Sequence, residues 1–203
     1  RSLIVGISST TFMTILWLTL SFAVVSMLYA SVGQAGGSGY MAAMALFGVS
    51  PVVMKPTALV LNVLVATLST LKFSHAGYFS WAIFWPFAVT SVPAAFIGGL
   101  LSVSSSVYNI IVGGVLLYAA LQLFRVTQVA PSMGIQSPPL WLALLAGAGV
   151  GLLSGVIGIG GGIMFGPLLL SRRWAETRQT LGMSAAINLT NSAAGTLGHL
   201  SSV

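Results

Sequence analysis

The chain has 203 residues, 57% of them apolar and only 4% charged, with a mean hydropathy of +1.03. Soluble domains carry about a quarter charged residues, so these values exclude a soluble fold and point to an all-α, polytopic integral membrane protein. Seven Lys and Arg face a single acid, Glu176, for a formal charge of +6, and there is no cysteine. Thiolate metal sites, disulfides and the extended basic face of a nucleic-acid binder are thereby excluded.

Apolar runs that span, or nearly span, about 30 Å of hydrocarbon fall at residues 12–32, 57–74, 81–101, 107–124, 140–157 and 181–200. The first, from Phe12, has the look of a secretion signal, but equivalent runs recur along the whole chain. It leads into a glycine-rich stretch, Ser31-Val-Gly-Gln-Ala-Gly-Gly-Ser-Gly-Tyr, and a short apolar piece, 39–49. Ser50-Pro51, Lys55-Pro56, His75-Ala76-Gly77 and Ser102 to Ser106 read as brief connections. The one long polar stretch, 125–139, contains Pro131, Gly134, Pro138 and Pro139 and divides the chain. After it come the 140–157 run, a second glycine cluster inside Ser154-Gly-Val-Ile-Gly-Ile-Gly-Gly-Gly-Ile-Met-Phe-Gly, the short piece 163–171, and the 181–200 run.

The two clusters lie about 125 positions apart, and Asn62 and Asn188 fall at matching places in the runs that follow them. This predicts two homologous transmembrane repeats, residues 1–126 and 140–203, joined by a linker at 127–139. The chain begins at Arg1 without methionine and stops at Val203 inside an apolar run, so the second repeat is expected to be truncated at its C-terminal end. If each glycine segment is a hairpin, the halves are inverted. Lys72, Arg125, Arg172, Arg173 and Arg178 then share one side, with Lys55 opposite, the arrangement favoured by the positive-inside rule. If each is instead a single broken span, Lys55, Arg172, Arg173 and Arg178 share one side against Lys72 and Arg125.

A helix that ends within a bilayer leaves N–H and C=O groups that lipid cannot satisfy. The N-terminus of the next half-helix offers free N–H donors and partial positive charge, a ready anion site. Gly36, Gly37, Ser38 and Gly39 would supply one such site, and Gly160, Gly161 and Gly162 the other. Neutral donors cluster around them: Ser31, Gln34, Tyr40, Thr57, Ser184, Thr190, Asn191 and Ser192, with Asn62 and Asn188 at mid-helix. Lys55 and Arg178 could draw an anion to the pore mouth, and His75 and His199 could relay protons. Two histidines without carboxylates make no metal site, and no cofactor is implied. No carboxylate lies within an apolar run, where cation carriers usually hold their ion. The electrostatics therefore suit an anionic or neutral cargo better than a cation. Trp17, Trp81, Trp85, Trp141 and Trp174 read as interfacial anchors.

Gly158-Ile-Gly-Gly-Gly-Ile-Met-Phe-Gly-Pro-Leu-Leu followed by Gly182-Met-Ser-Ala-Ala-Ile-Asn resembles the repeated signature of the sulfite exporter TauE/SafE family. The stretch from Gly33-Gln-Ala-Gly-Gly-Ser-Gly-Tyr through Leu59-Val-Leu-Asn to His75-Ala-Gly-Tyr-Phe-Ser-Trp is similar to its first-repeat form, with Gln34 and Ala35 as departures. The resemblance implies a multi-pass carrier of the prokaryotic inner membrane. Its cargo would be sulfur-containing anions such as sulfite or organosulfonates. Alternating access between two repeats is the expected mechanism. An anion channel and a non-transporting membrane assembly protein remain as alternatives, and a homodimer stays open. An enzyme is not expected, because Glu176 has no acid/base partner.

Overall fold

The computed structural model describes residues 9–126 and 135–202. They form eight helices and no strand: α1 Ser9–Ser31, α2 Gly37–Leu46, α3 Pro51–His75, α4 Trp81–Leu100, α5 Ser105–Val126, α6 Leu140–Ile157, α7 Gly162–Ser171 and α8 Thr177–Ser201. Within these residues four helices are long and apolar enough to cross a membrane: Phe12–Ser31, Val52–His75, Trp81–Leu100 and Leu140–Ile157. Most of the linker, 127–134, lies outside the described residues, as does the Arg125 side chain.

The helices follow the apolar runs, with instructive shifts. α3 starts at Pro51, a residue preorganised for the first helical position, and continues through Pro56. Lys55-Pro56 is therefore no connection, and Lys55 sits inside the helix. α8 begins four residues before its apolar run. It carries Thr180, Ser184, Asn188, Asn191 and Ser192, yet all five are buried, because α8 packs against α3, α4, α6 and α7 at the centre of the bundle. Its polar side chains face protein rather than lipid, which is how such residues are tolerated at membrane depth.

α4 and α6 run parallel at unusually close range. A Cβ on Gly147 would strike the Phe87 backbone, one on Gly151 the Ser91 backbone, and one on Gly155 the Ala95 backbone. The glycines recur every fourth residue, so they line one face of α6 and let the two backbones touch. α3 packs antiparallel to α8: Leu59 meets Gly195 near one end, and Phe73 meets Gly182 near the other.

The two glycine segments are hairpins. Gln136, before α6, donates its N–H to Arg173 O, after α7, at 2.9 Å, so this segment leaves and returns at one end of the bundle. Along α2, Ser38 meets Tyr29 and Tyr40 meets Ser26 and Phe22. The later α2 residue thus touches the earlier part of α1, the signature of antiparallel arms. The hairpins enter from opposite ends. The first reaches Gly33, against the Leu181 backbone at the start of α8, while the second reaches Gly158, 3.1 Å (as a Cβ) from Lys55 O at the start of α3. Lys72, Arg172, Arg173 and Arg178 lie at the end where α3 finishes and α8 begins, here termed the basic end. Trp81, Trp85 and Trp141 are exposed on helices starting there. Trp174 is no surface anchor. It is 4% exposed, packed with Phe87 in an apolar cluster that also holds Phe165, Leu169 and Met183.

Gly151→Ala is expected to lower the unfolding temperature of the purified protein, since overpacking a tight contact costs about 1–3 kcal/mol. Gly149→Ala, with nothing within 4 Å of its new Cβ, should leave it unchanged or raise it through helix propensity. Thermal unfolding in detergent that ranks the two variants equally would contradict this packing.

Candidate functional site: two crossing hairpins

Each hairpin turns through left-handed glycines, where a Cβ would be strained. Gly36 (φ 97°) precedes α2, and Gly161 (φ 87°) precedes α7. The two turns touch. A Cβ on Gly37 would lie 2.7 Å from Ile159 O and 2.6 Å from Asn62 Nδ2. Asn62 Nδ2 donates to Gly158 O at 3.2 Å. Asn188 spans both hairpins. With its carboxamide oxygen accepting the Ala35 N–H at 2.9 Å, its amide nitrogen donates to Gly160 O at 2.9 Å and Ile159 O at 3.2 Å. A Cβ on Gly160 would overlap this carboxamide. Two side chains thus satisfy backbone groups that the breaks would otherwise leave bare.

Polar atoms beyond these bonds crowd the second hairpin. Ser91 Oγ donates to Asn191 Oδ1 at 2.8 Å. The Asn191 amide nitrogen has no hydrogen-bond partner among the described residues, nor do the hydroxyls of Ser154, Thr180, Ser184 and Ser192. All five residues are buried.

A cavity lies to either side of the crossing. At the end remote from the basic residues, about 360 Å³ is lined by Ser38, Met41, Ala42, Ala45, Val49, Met54, Tyr108, Asn109, Val112 and Ile159. Nearer the basic end, about 120 Å³ is lined by Val32, Gln34, Gly166, Pro167, Leu170, Thr180, Leu181 and Ser184. Each is built from a half-helix, the helix that follows it and the tip of the opposite hairpin, and the larger one also from Tyr108, Asn109 and Val112 of α5. Met41, Ala42, Ala45, Met54 and Ile159 of one stand 125 or 126 positions from Gly166, Pro167, Leu170, Thr180 and Gln34 of the other.

The model of the family "Sulfite exporter TauE/SafE" matches residues 18–203. This chain belongs to the TauE/SafE family. It is 40% identical over 188 residues to the "Probable membrane transporter protein y4hK" of Sinorhizobium fredii (strain NBRC 101917 / NGR234), covering 91% of this chain and 76% of that protein. No solved structure matches. The chain is a multi-pass membrane transporter of this family.

The residues singled out in this TauE/SafE sequence are partly brought together. Gly37, Asn62, Gly160, Gly162 and Asn188 meet at the crossing, and Gly161 lies 3.1 Å (as a Cβ) from the Asn191 amide. Gly36 and Gly39 pack instead on Val25 of α1. Ser38 bonds Tyr29 and lines the larger cavity, Ser184 lines the smaller one, and Thr57 is half-buried on α3 between Lys55 and Asn62. Lys55 has a different place from the one its sequence context implied. It is 8% exposed, and its ammonium donates to Gly98 O (3.3 Å), Gly99 O (3.1 Å) and Leu101 O (3.1 Å). It caps the negative C-terminal end of α4. Arg178 is exposed, donates to Tyr78 Oη at 3.0 Å and stacks on its ring. His75 and His199 close α3 and α8 at opposite ends of the bundle, so they share no relay.

Ser91, Ser154 and Thr180 escaped the sequence reading. A serine inside an apolar helix normally bonds its own backbone, so sequence offers no reason to single one out. The available signal was spacing: Ser91 lies four residues from both Phe87 and Ala95, on the face that meets the α6 glycines. Asn188→Ala would strand Ala35 N–H and the Gly160 and Ile159 carbonyls. With orphaned buried groups costing about 1–3 kcal/mol in total when partly compensated, it should destabilise more than Asn62→Ala, which frees one carbonyl. Unfolding by detergent titration reads the order, and a reversed order would refute the bridging role.

Proposed function

We propose that this protein is a secondary carrier for small sulfur-containing oxyanions such as sulfite or organosulfonates. It is built as two inverted repeats and works by alternating access. The observation that carries this reading is the pair of glycine-turned hairpins that enter from opposite ends of the bundle, touch at their tips, and leave a cavity on either side of the contact. Broken helices at the interface of inverted repeats are a recurrent design for substrate sites in secondary transporters. Antiparallel packing of α3 against α8, each following its half-helix, supports a two-fold relation between the halves.

Rocking one hairpin away from the other would part Gly37 from Ile159. That motion would release the amides of Asn62 and Asn188, together with the N–H groups of Gly36–Gly39 and Gly160–Gly162, for the oxygens of the cargo. Ser38, Thr57, Ser184 and Asn191 would complete the neutral donor set. The single acid, Glu176, sits outside this set at the exposed start of α8, so the field favours an anion over a cation. By the positive-inside rule the basic end faces the cytoplasm of a prokaryotic cell.

Proteoliposomes are expected to accumulate labelled sulfite or sulfoacetate in a saturable manner, and Asn62→Leu with Asn188→Leu to abolish it. Intact uptake in the double variant would remove the crossing as the cargo site. Non-saturating flux would replace the carrier with a channel. Cysteines at 53 and 175 should label from opposite faces of the membrane, and labelling from one face would end the inverted arrangement.

A further inference from the structure

The two cavities share a construction but differ in chemistry. Where the larger has Met54 from α3 and Ile159 from the opposite hairpin, the smaller has Thr180 and Gln34. One turn beyond Thr180 stands Ser184, opposite Ala58 in the numbering of the halves. Thr180 and Ser184 are each 2% exposed, and neither hydroxyl has a hydrogen-bond partner among the described residues. Both face Gly166 on α7. A Cβ there would lie 3.2 Å from Ser184 Oγ and 3.9 Å from Thr180 Cγ2, so the missing side chain opens the space in front of them.

Two buried hydroxyls without partners are a standing cost unless something occupies that space. The cavity, about 120 Å³, is well above what a single water needs. Its polar lining consists of hydroxyls and a carboxamide, with no carboxylate. Arg172 and Arg178 stand at the same end of the bundle, where they raise the local concentration of anions.

We infer that Gln34, Thr180 and Ser184 form an oxyanion subsite at the basic end of the protein, adjoining the hairpin crossing and sharing Ser184 with it, which receives the cargo before the hairpins part. This rests on the carrier reading above and adds to it a first binding station and the groups that recognise it. Hydroxyl and amide donors match an anion with several acceptor oxygens, and a spherical halide would use them poorly. The counterpart cavity at the far end has Met54 in the place of Thr180; its own polar side chains are Ser38 and Tyr108, bonded to Tyr29 and to Ile157 O, and the exposed Asn109, so the two ends of the transport path present different donors to the anion.

The test compares wild type with Thr180→Val/Ser184→Ala, which preserves side-chain volume closely and removes only unpartnered hydroxyls. In detergent the apo double variant should unfold at the same temperature as wild type or higher. Sulfite titrated by calorimetry should bind about ten-fold more weakly, since hydrogen bonds to a charged group are lost, and the KM for sulfite in proteoliposomes should rise by a similar factor. Chloride should compete poorly with wild type. If the hydroxyls serve only ordered water, sulfite Kd and KM stay at wild-type values while transport continues, which overturns the subsite and leaves the carrier standing. A wild type that neither binds nor carries sulfite or sulfoacetate overturns both. Should the double variant fail to fold, Gln34→Met on the half-buried hairpin tip gives a second reading. It is expected to weaken sulfite binding several-fold, and an unchanged Kd would count against the subsite.

Discussion

A peptide group at membrane depth must be hydrogen-bonded by protein, because lipid offers nothing in exchange. Both glycine hairpins violate regular helix at that depth, and the rest of the centre is arranged to satisfy them. Asn62 reaches one carbonyl of the second hairpin, and Asn188 bridges an N–H of the first to two carbonyls of the second. Glycines at 37 and 160 are required because a Cβ at either would occupy the space of these carboxamides. The polarity of α8 follows from the same constraint. An apolar α8 would insert more readily, but it would leave the turns bare.

The frame around the hairpins is built on a different principle. α4 and α6 approach until backbone meets backbone along Gly98, Gly147, Gly151 and Gly155, and Gly99, Gly195 and Gly198 extend the pattern to α8. Between membrane helices the hydrophobic effect gives little, so this contact area is what binds them. Such interfaces separate only by losing many contacts together. The hairpins, by contrast, are joined through the carboxamides of Asn62 and Asn188, the contact of Gly37 with Ile159, and an apolar cluster in which Tyr40, Met41 and Met44 meet Ile157 and Ile159. Under the proposed carrier reading, this is the junction that opens.

Charge is used sparingly and in two ways. Arg178 rests on Tyr78 at the exposed start of α8, one of several cations gathered at that end. Lys55 is buried across the bundle, its ammonium set among three backbone carbonyls at the close of α4. An unpaired ammonium at that depth would be costly. The end of a helix supplies both acceptors and negative potential, so Lys55 locks α3 to α4 and is no loop charge.

Hydropathy located the helices, and the glycine clusters located both breaks, because these are properties of local sequence: chain length against bilayer thickness, and the freedom of glycine to turn left-handed. The matching of Asn62 with Asn188 was legible for the same reason. What those asparagines touch was not. Nothing in a linear sequence says that Asn188 lies against Ala35, or that Thr180 and Ser184 of α8 share a cavity with Gln34 of the other hairpin. Trp174 and Lys55 were misplaced for the converse reason: a position next to a turn looks exposed until tertiary packing buries it. The sequence by itself determined that this chain crosses a membrane and breaks its helices at two glycine clusters, because the hydropathy fits a bilayer and glycine turns left-handed at little cost; only the structure shows each break to be a hairpin. Only the tertiary structure decided that the interruptions meet and which side chains close them, because partners more than a hundred residues apart are chosen by packing and not by spacing.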